Sequence, residues 1–310
     1  MIRYITRESS KDVLREIKHP ASFEQTWVYG EGIVKSDIDG LAEDFNLNQG
    51  ILRDIFDQQE LPRAEYDGST LYLFVRVPRR RANNKGVVTS SPLLLILKNS
   101  TLFSLATSPY FSVDDLAERY KISIKSSRHT LVQALSYIVW QYEELVDDAQ
   151  LYINGAGQRL ETHQVTNKDF VKFVTVERNL NEYHTNLSAM LAVLQRLADN
   201  KRGTFGEKDL DVIDDIILYV NQLRVSIESQ GKLVGSIRDA YTTISNNNLN
   251  VRLKALTLLT VIIALPNVFY GMYGMNVTLP FAEQPWAYTA ITSLTLGVVA
   301  LVYLVARRRF

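Results

Sequence analysis

Residues 255–273 read ALTLLTVIIALPNVFYGMY and residues 286–306 read WAYTAITSLTLGVVALVYLVA, and neither stretch carries a charge. Each has about 20 residues, the length a helix needs to cross the hydrocarbon core of a bilayer. A helix buried in a soluble core is the competing reading, but length and lack of charge weigh against it. The flanks also favour the membrane. Arg252 and Lys254 precede the first run, Arg307, Arg308 and Arg309 follow the second, and the connecting residues contain no lysine or arginine. The positive-inside rule then puts both ends in the cytoplasm and the short loop outside. Trp286, Tyr288, Tyr270 and Tyr273 fall near the outer interface, where aromatic rings are favoured.

The rest of the 310-residue chain is polar, and the mean hydropathy of the whole is −0.07. Lysine plus arginine (34) balance aspartate plus glutamate (34), so charge makes no case for a nucleic-acid partner. Cysteine is absent, which excludes disulfides and thiolate metal sites and suits a reducing compartment. The N-terminal MIRYITRESS has no apolar stretch of the kind that opens a secretory signal, so the N-terminus is expected in the cytosol.

Leading into the first span, residues 236–257 read SIRDAYTTISNNNLNVRLKALT. At 100° per residue, Asp239, Asn246, Asn250 and Thr257 share one helix face. Thr243 lies close to that line and Lys254 at its edge. Deeper in the span the face continues through Val261, Ala264 and Val268, becoming small and apolar. A solvated helix face that ends at the membrane is the bland alternative. The pore reading explains more: two helices cannot enclose a channel, but several copies around an axis can. A polar mouth leading to an apolar constriction is a workable ion path.

Upstream, strands are expected at residues 71–77, 93–97 and 101–106. Residues 37–57 read as helical with a break near Asn46 to Gly50. Arg79, Arg80 and Arg81, running into Asn83-Asn84-Lys85-Gly86, read as a loop between strands. Residues 130–199 read as a helical hairpin turning near residues 166–169, and one very long helix starts at Glu207. The expected organisation is an α/β cytoplasmic domain over 1–125 and a helical hairpin over 126–206. A stalk helix over 207–273 continues as the first membrane helix. An outer loop (274–285), a second membrane helix (286–306) and a basic tail (307–310) follow. The fold class is therefore an α+β cytoplasmic domain joined to a long-helix stalk and two C-terminal transmembrane helices, mostly α overall.

The outer end of the first span is Tyr273-Gly274-Met275-Asn276. Its place between two terminal spans, ahead of a basic C-terminus, resembles the signature of the CorA family of magnesium transporters. The run from Asp239 to Asn250, followed by Lys254, Leu256 and Thr257, resembles that family's pore-helix entry, and residues 41–77 resemble its cytoplasmic domain more loosely. The resemblance implies a funnel-shaped homo-oligomeric channel, a homopentamer in the family, seated in the plasma membrane. It implies that Asn276 is the selectivity residue, that Gly274 and Met275 shape its loop, and that Asn250 and Asp239 form a polar and an acidic ring. Leu253, Leu256 and Val261 are gate candidates. Asp215 matches an acid of an intracellular regulatory magnesium site whose partner would come from the N-terminal domain, where Asp114 and Asp115 are candidates. The family often carries Met-Pro-Glu in its outer loop. Here the loop reads VTLPFAEQPWAY, with Glu283 its only acid.

Magnesium demands near-octahedral oxygen coordination and gives up water reluctantly. An asparagine ring suits it, because amide oxygens accept hydrogen bonds from the ion's waters without a charge that would trap it. The four histidines, His19, His129, His163 and His184, lie away from the spans and form no close pair, which weighs against a dedicated zinc or nickel site. Cobalt or nickel could still pass as hydrated ions. The rival readings are a zinc, cobalt or nickel transporter of the same superfamily and a non-conducting membrane-anchored scaffold. No phosphate-binding loop or catalytic motif supports an enzyme.

Overall fold

The computed structural model describes residues 2–7, 14–17, 23–80, 87–120, 126–161, 167–275 and 284–309. The chain divides into two compact units, residues 1–238 and 239–310.

The first unit is built on a seven-stranded sheet: β1 (Ile2–Arg7), β2 (Leu14–Ile17), β3 (Trp27–Glu31), β4 (Arg63–Asp67), β5 (Thr70–Arg80), β6 (Val88–Lys98) and β7 (Thr101–Ala106). Its order is β2-β1-β3-β7-β6-β5-β4, antiparallel throughout except where β3 runs parallel to β7. The run Leu93–Leu97 shows why both faces are covered. Alternate residues of a strand point to opposite faces. Leu93, Leu95 and Leu97 join the larger core, while Leu94 and Ile96 join the smaller one. The smaller core is closed by α1 (Lys35–Phe45), α2 (Gln49–Arg53) and the 3-10 turn that follows.

The helical break expected near Asn46 has a local cause. Asn46 adopts a left-handed conformation (φ 47°) that ends α1, and Lys98 Nζ donates to the carbonyls of Phe45 and Asn46. Asn48 then caps α2, its side-chain oxygen accepting from the backbone nitrogens of Gly50 and Ile51.

The three strands expected from sequence are present as parts of β5, β6 and β7. β5 extends further than expected, however, so Arg79 and Arg80 belong to a strand rather than a loop, while residues 81–86 lie outside the described residues. β4 pairs only with residues 70–74 of β5, so the rest of β5 is an edge among the described residues. A sheet edge tolerates Pro78 where a central strand would not.

The larger core packs under α4 (Ser127–Glu161) and α5 (Asn167–Ala198), with α3 (Val113–Arg119) between the sheet and α4 in chain order. A polar network fastens the hairpin to the sheet. Arg76 Nε donates to Ser90 Oγ at 2.8 Å, and Ser90 N and Oγ both donate to Glu182 Oε1 of α5 at 2.8 Å. Tyr142 of α4 donates its hydroxyl to the Arg76 carbonyl at 3.0 Å. Burial pushes that phenol's pKa far up, partly opposed by a hydrogen bond with Asn186.

α6 runs from Glu207 to Tyr273, 67 residues. Within the first unit it buries Ile213, Ile216, Val220, Leu223, Ile227, Val234 and Ile237, the three-and-four spacing of one helix stripe. The second unit comprises α6 from Asp239 onward and α7 (Ala287–Arg309). Pro266 lies inside α6 without ending it, although it leaves the carbonyl four residues back without its usual donor. α7 includes Arg307–Arg309, so the basic residues are helical.

Candidate ion path and acidic sites

α6 is unbroken across residues 239–257, so Asp239, Asn246, Asn250 and Thr257 share a face, and all four are exposed in the single chain. Asn250, Leu253, Thr257 and Val261 line one groove together with Lys254, Leu258 and Val302 of α7. Thr243 Oγ1 donates to the Asp239 carbonyl at 3.0 Å, and Thr257 Oγ1 to the Leu253 carbonyl at 2.9 Å. Each hydroxyl proton is committed to the backbone four residues back. What such a threonine presents outward is oxygen lone pairs, the group a hydrated cation's waters can donate to. Ala264 and Val268 follow on the same helix, both exposed.

The apolar runs are not core helices. In the most apolar 18-residue window of α6 none of the residues is buried against the rest of the chain, and in that of α7 only 6% are. Leu256, Leu259, Ile263 and Val268, and Leu294, Leu301 and Leu304 on α7, are among the exposed apolar side chains. Such surfaces need lipid or further protein around them.

At the C-terminal end of α6, Gly274 N donates to the Tyr270 carbonyl at 3.0 Å, and Met275 N donates to the Met272 carbonyl at 3.3 Å. Met275 is exposed. Asn276 and Glu283 lie outside the described residues.

Asp215 sits on α6 in the first unit, exposed beside the exposed Asp214, while Ile213 and Ile216 are buried. Asp114 and Asp115 are exposed in the first turn of α3, where Asp115 Oδ2 accepts from Ser112 N at 2.8 Å in a capping box. Asp115 thus has a structural task, and Asp114 is the less committed of the two. Among the described residues no three histidine, aspartate or glutamate side chains of one chain gather into a metal site.

Two further acids have specific surroundings. Asp209 Oδ1 lies 2.9 Å from His129 Nδ1, joining the first turn of α6 to that of α4. Asp147 lies close enough to Tyr219 to help raise its phenol, behind burial and a hydrogen bond with Glu143. These contacts cross between elements far apart in sequence, so no local pattern could reveal them.

Residues 25–308 match the profile of the family described as CorA-like Mg2+ transporter protein. The chain belongs to that family. The cobalt/magnesium transport protein CorA of Thermotoga maritima is 22% identical over 292 residues, covering 90% of this chain and 81% of that protein. The complete structure of the CorA magnesium transporter from Methanocaldococcus jannaschii aligns with a TM-score of 0.82 at 19% identity, covering 99% of this chain and 98% of the other. The full-length CmaX protein aligns with a TM-score of 0.75 at 18% identity, covering 100% and 97%. The fold is therefore that of full-length CorA structures, an N-terminal α/β body followed by a long helix and two C-terminal apolar helices. This CorA-family chain is a membrane protein of a transporter family.

Proposed function

We propose that this CorA-family protein conducts hydrated magnesium across the plasma membrane through a pore formed by several copies of α6, five if it follows the family. The carrying observation is the face of α6 that runs from Asp239 through Asn246 and Asn250 to Thr257, and then to Val261, Ala264 and Val268. The acid raises local cation concentration, the amides and the hydroxyl oxygen hold the ion's waters, and the apolar segment gates by dewetting. Asn276 forms the selective ring at the outer mouth, with Gly274 and Met275 shaping it. N- and C-termini face the cytoplasm, as the basic flanks favour. Cobalt is a second cargo, consistent with the names of the relatives. Asp215, with Asp114 or Asp115 of a neighbouring copy, binds cytosolic magnesium and holds the channel closed. The proposed channel is organised as a body over residues 1–125, a hairpin over 126–206, a stalk over 207–273 that continues as the first span, and a second span over 286–306.

The test uses purified protein in liposomes loaded with a magnesium-sensitive dye, compared with the Asn276→Ala form. Wild-type influx at low internal magnesium and its loss in the variant are expected. No wild-type influx would overturn the conduction reading, and zinc influx far exceeding magnesium influx would overturn the choice of ion.

A further inference from the structure

Two patches of the first unit, far apart in sequence, complement each other. One is a groove of about 460 Å³ lined by Lys35, Ile38 and Asp39 of α1, Arg53 of α2, and Phe56. Its apolar members are covered, Ile38 being buried and Phe56 half-buried, while Lys35 and Arg53 are exposed. Lys35 pairs with no acid among the described residues. Arg53 reaches Asp39 with one nitrogen at 3.4 Å, which leaves most of its five N–H donors for another acceptor. The other patch is on α6. Asp211, Asp214 and Leu218 are exposed, Leu218 at 60%, and at 100° per residue they share an arc of about 60°. Neither aspartate pairs with a base among the described residues. The patch is therefore an apolar side chain flanked by two uncommitted carboxylates.

A groove with a basic rim and an apolar floor matches a helix arc with an apolar centre and acidic flanks. Opposed potentials around a dry centre set the register of an interface. Because the two patches are different surfaces of one chain, they join copies head to tail, the kind of contact that gives rings when the rotation closes. A two-fold dimer would instead need a patch complementary to itself. We propose that the groove of one copy seats the Asp211–Leu218 arc of the next, with Leu218 against Ile38 and Phe56, and the two aspartates on Lys35 and Arg53. This rests on the reading of several copies around a pore and names the surfaces that join them. The groove's place in the fold fits that reading. Ile33 N donates to the Ala106 carbonyl and Gln58 Nε2 to Thr107 Oγ1, both at 3.1 Å, so the groove lies at the end of the sheet from which β7 leads to α3. A copy seated there carries Asp215, about 40° round α6 from Asp211, to the end of the sheet that leads to its neighbour's Asp114.

The absence of cysteine makes the test direct. Ser36 and Gln222 are exposed, one beside Lys35 and the other a turn beyond Leu218, and changing them leaves the contact intact. Full-length Ser36→Cys/Gln222→Cys protein, reconstituted in vesicles, is treated with a short bismaleimide. A ladder extending beyond the dimer on a denaturing gel is expected. Either single-cysteine protein should stay monomeric, and the two co-expressed should give nothing larger than a dimer. Dimers from one single-cysteine protein would mean that like patches meet, and an internally joined monomer would mean that groove and helix meet within one chain. Either result overturns the proposal, as does the absence of a ladder. Charge reversal gives a second reading. Asp211→Lys/Asp214→Lys and, separately, Lys35→Glu/Arg53→Glu should each weaken assembly about tenfold or more by light scattering, because two exposed attractions worth up to about fivefold each become repulsions. The four substitutions together should restore it. Unchanged assembly in either reversal, or no rescue on combining them, overturns the proposal. The pore reading fails separately. Wild-type protein that conducts magnesium while the double-cysteine form gives no ladder overturns this contact alone, and a ladder without magnesium flux supports the contact and overturns conduction alone.

Discussion

Thr257 Oγ1 donates to the carbonyl oxygen of Leu253 at 2.9 Å. The bond fixes the hydroxyl's direction and leaves its oxygen as an acceptor in the groove shared with Asn250 and Val261. If hydrated ions pass this point, the acceptor matters and the methyl does not. Thr257→Val keeps the shape and removes the acceptor, and Thr257→Ser keeps the acceptor. The valine form is expected to lose about fivefold or more in magnesium influx, because one hydrogen bond is worth ~1 kcal/mol and the loss recurs in every copy. The serine form should stay near wild type. Equal fluxes in the two variants would remove Thr257 from the path.

Asp239 opens the polar face and is exposed. A carboxylate there acts on approaching cations through water, and such fields are screened beyond about 8–10 Å at physiological ionic strength. Asp239→Asn is therefore expected to reduce influx several-fold at low ionic strength and much less in concentrated monovalent salt. Flux measured across a salt series separates this effect from a structural one, which salt would leave in place.

The parts of this protein that a sequence reading reaches are those where one local rule dominates. The strands at 71–77, 93–97 and 101–106 are largely apolar because their alternate residues enter cores on both faces of the sheet. β4 escapes such a reading. Its sequence RAEYD is polar because it is an edge strand, paired only with β5. β2, at the opposite edge, escapes for the same reason. Arg79 and Arg80 read as loop because Pro78 precedes them, and only the absence of a second neighbour for that part of β5 shows why a strand accommodates them. The candidate path was legible as far as helix period could carry it, since the face from Asp239 to Thr257 follows from spacing alone. The His129–Asp209 contact was not, because it depends on where the chain folds back on itself, whereas the cap that Asp115 forms with Ser112, three residues earlier, follows a local pattern.

The buried tyrosines predict how the first unit responds to base. Burial, aided by Glu31, pushes Tyr29 up to about 12, and burial also raises Tyr142 well above the ordinary range of a phenol. The sign follows directly. A folded-state pKa above the unfolded value means the native state keeps its proton longer, so the stabilisation is complete below about pH 10 and is lost as pH rises towards the folded value. Stability should therefore be flat approaching pH 10 and fall beyond it, with unfolding by circular dichroism coinciding with tyrosinate absorbance. In Tyr142→Phe protein, the loss of the bond to the Arg76 carbonyl should lower stability at neutral pH by ~1 kcal/mol. It should also make the alkaline decline shallower.

Regulation is the reading most open to a single substitution. Asp215 points away from the core while Ile213 and Ile216 on either side are buried, so the helix holds the carboxylate outward without spending it on packing. Replacing an exposed residue of this kind changes stability by about 0.5 kcal/mol or less, so Asp215→Ala protein should fold normally. Its channels should need at least about tenfold more internal magnesium for half-inhibition, which corresponds to ~1.4 kcal/mol of coupling. The gain can be no larger than the ion's differential affinity for closed and open states. On the partner side Asp114→Ala is the cleaner test, because Asp115→Ala would also remove the cap on Ser112 N and loosen α3. A matching shift in Asp114→Ala channels, with no further shift in the double variant, would place both acids in one site between copies. Unchanged inhibition in Asp215→Ala channels would take Asp215 out of the gating mechanism.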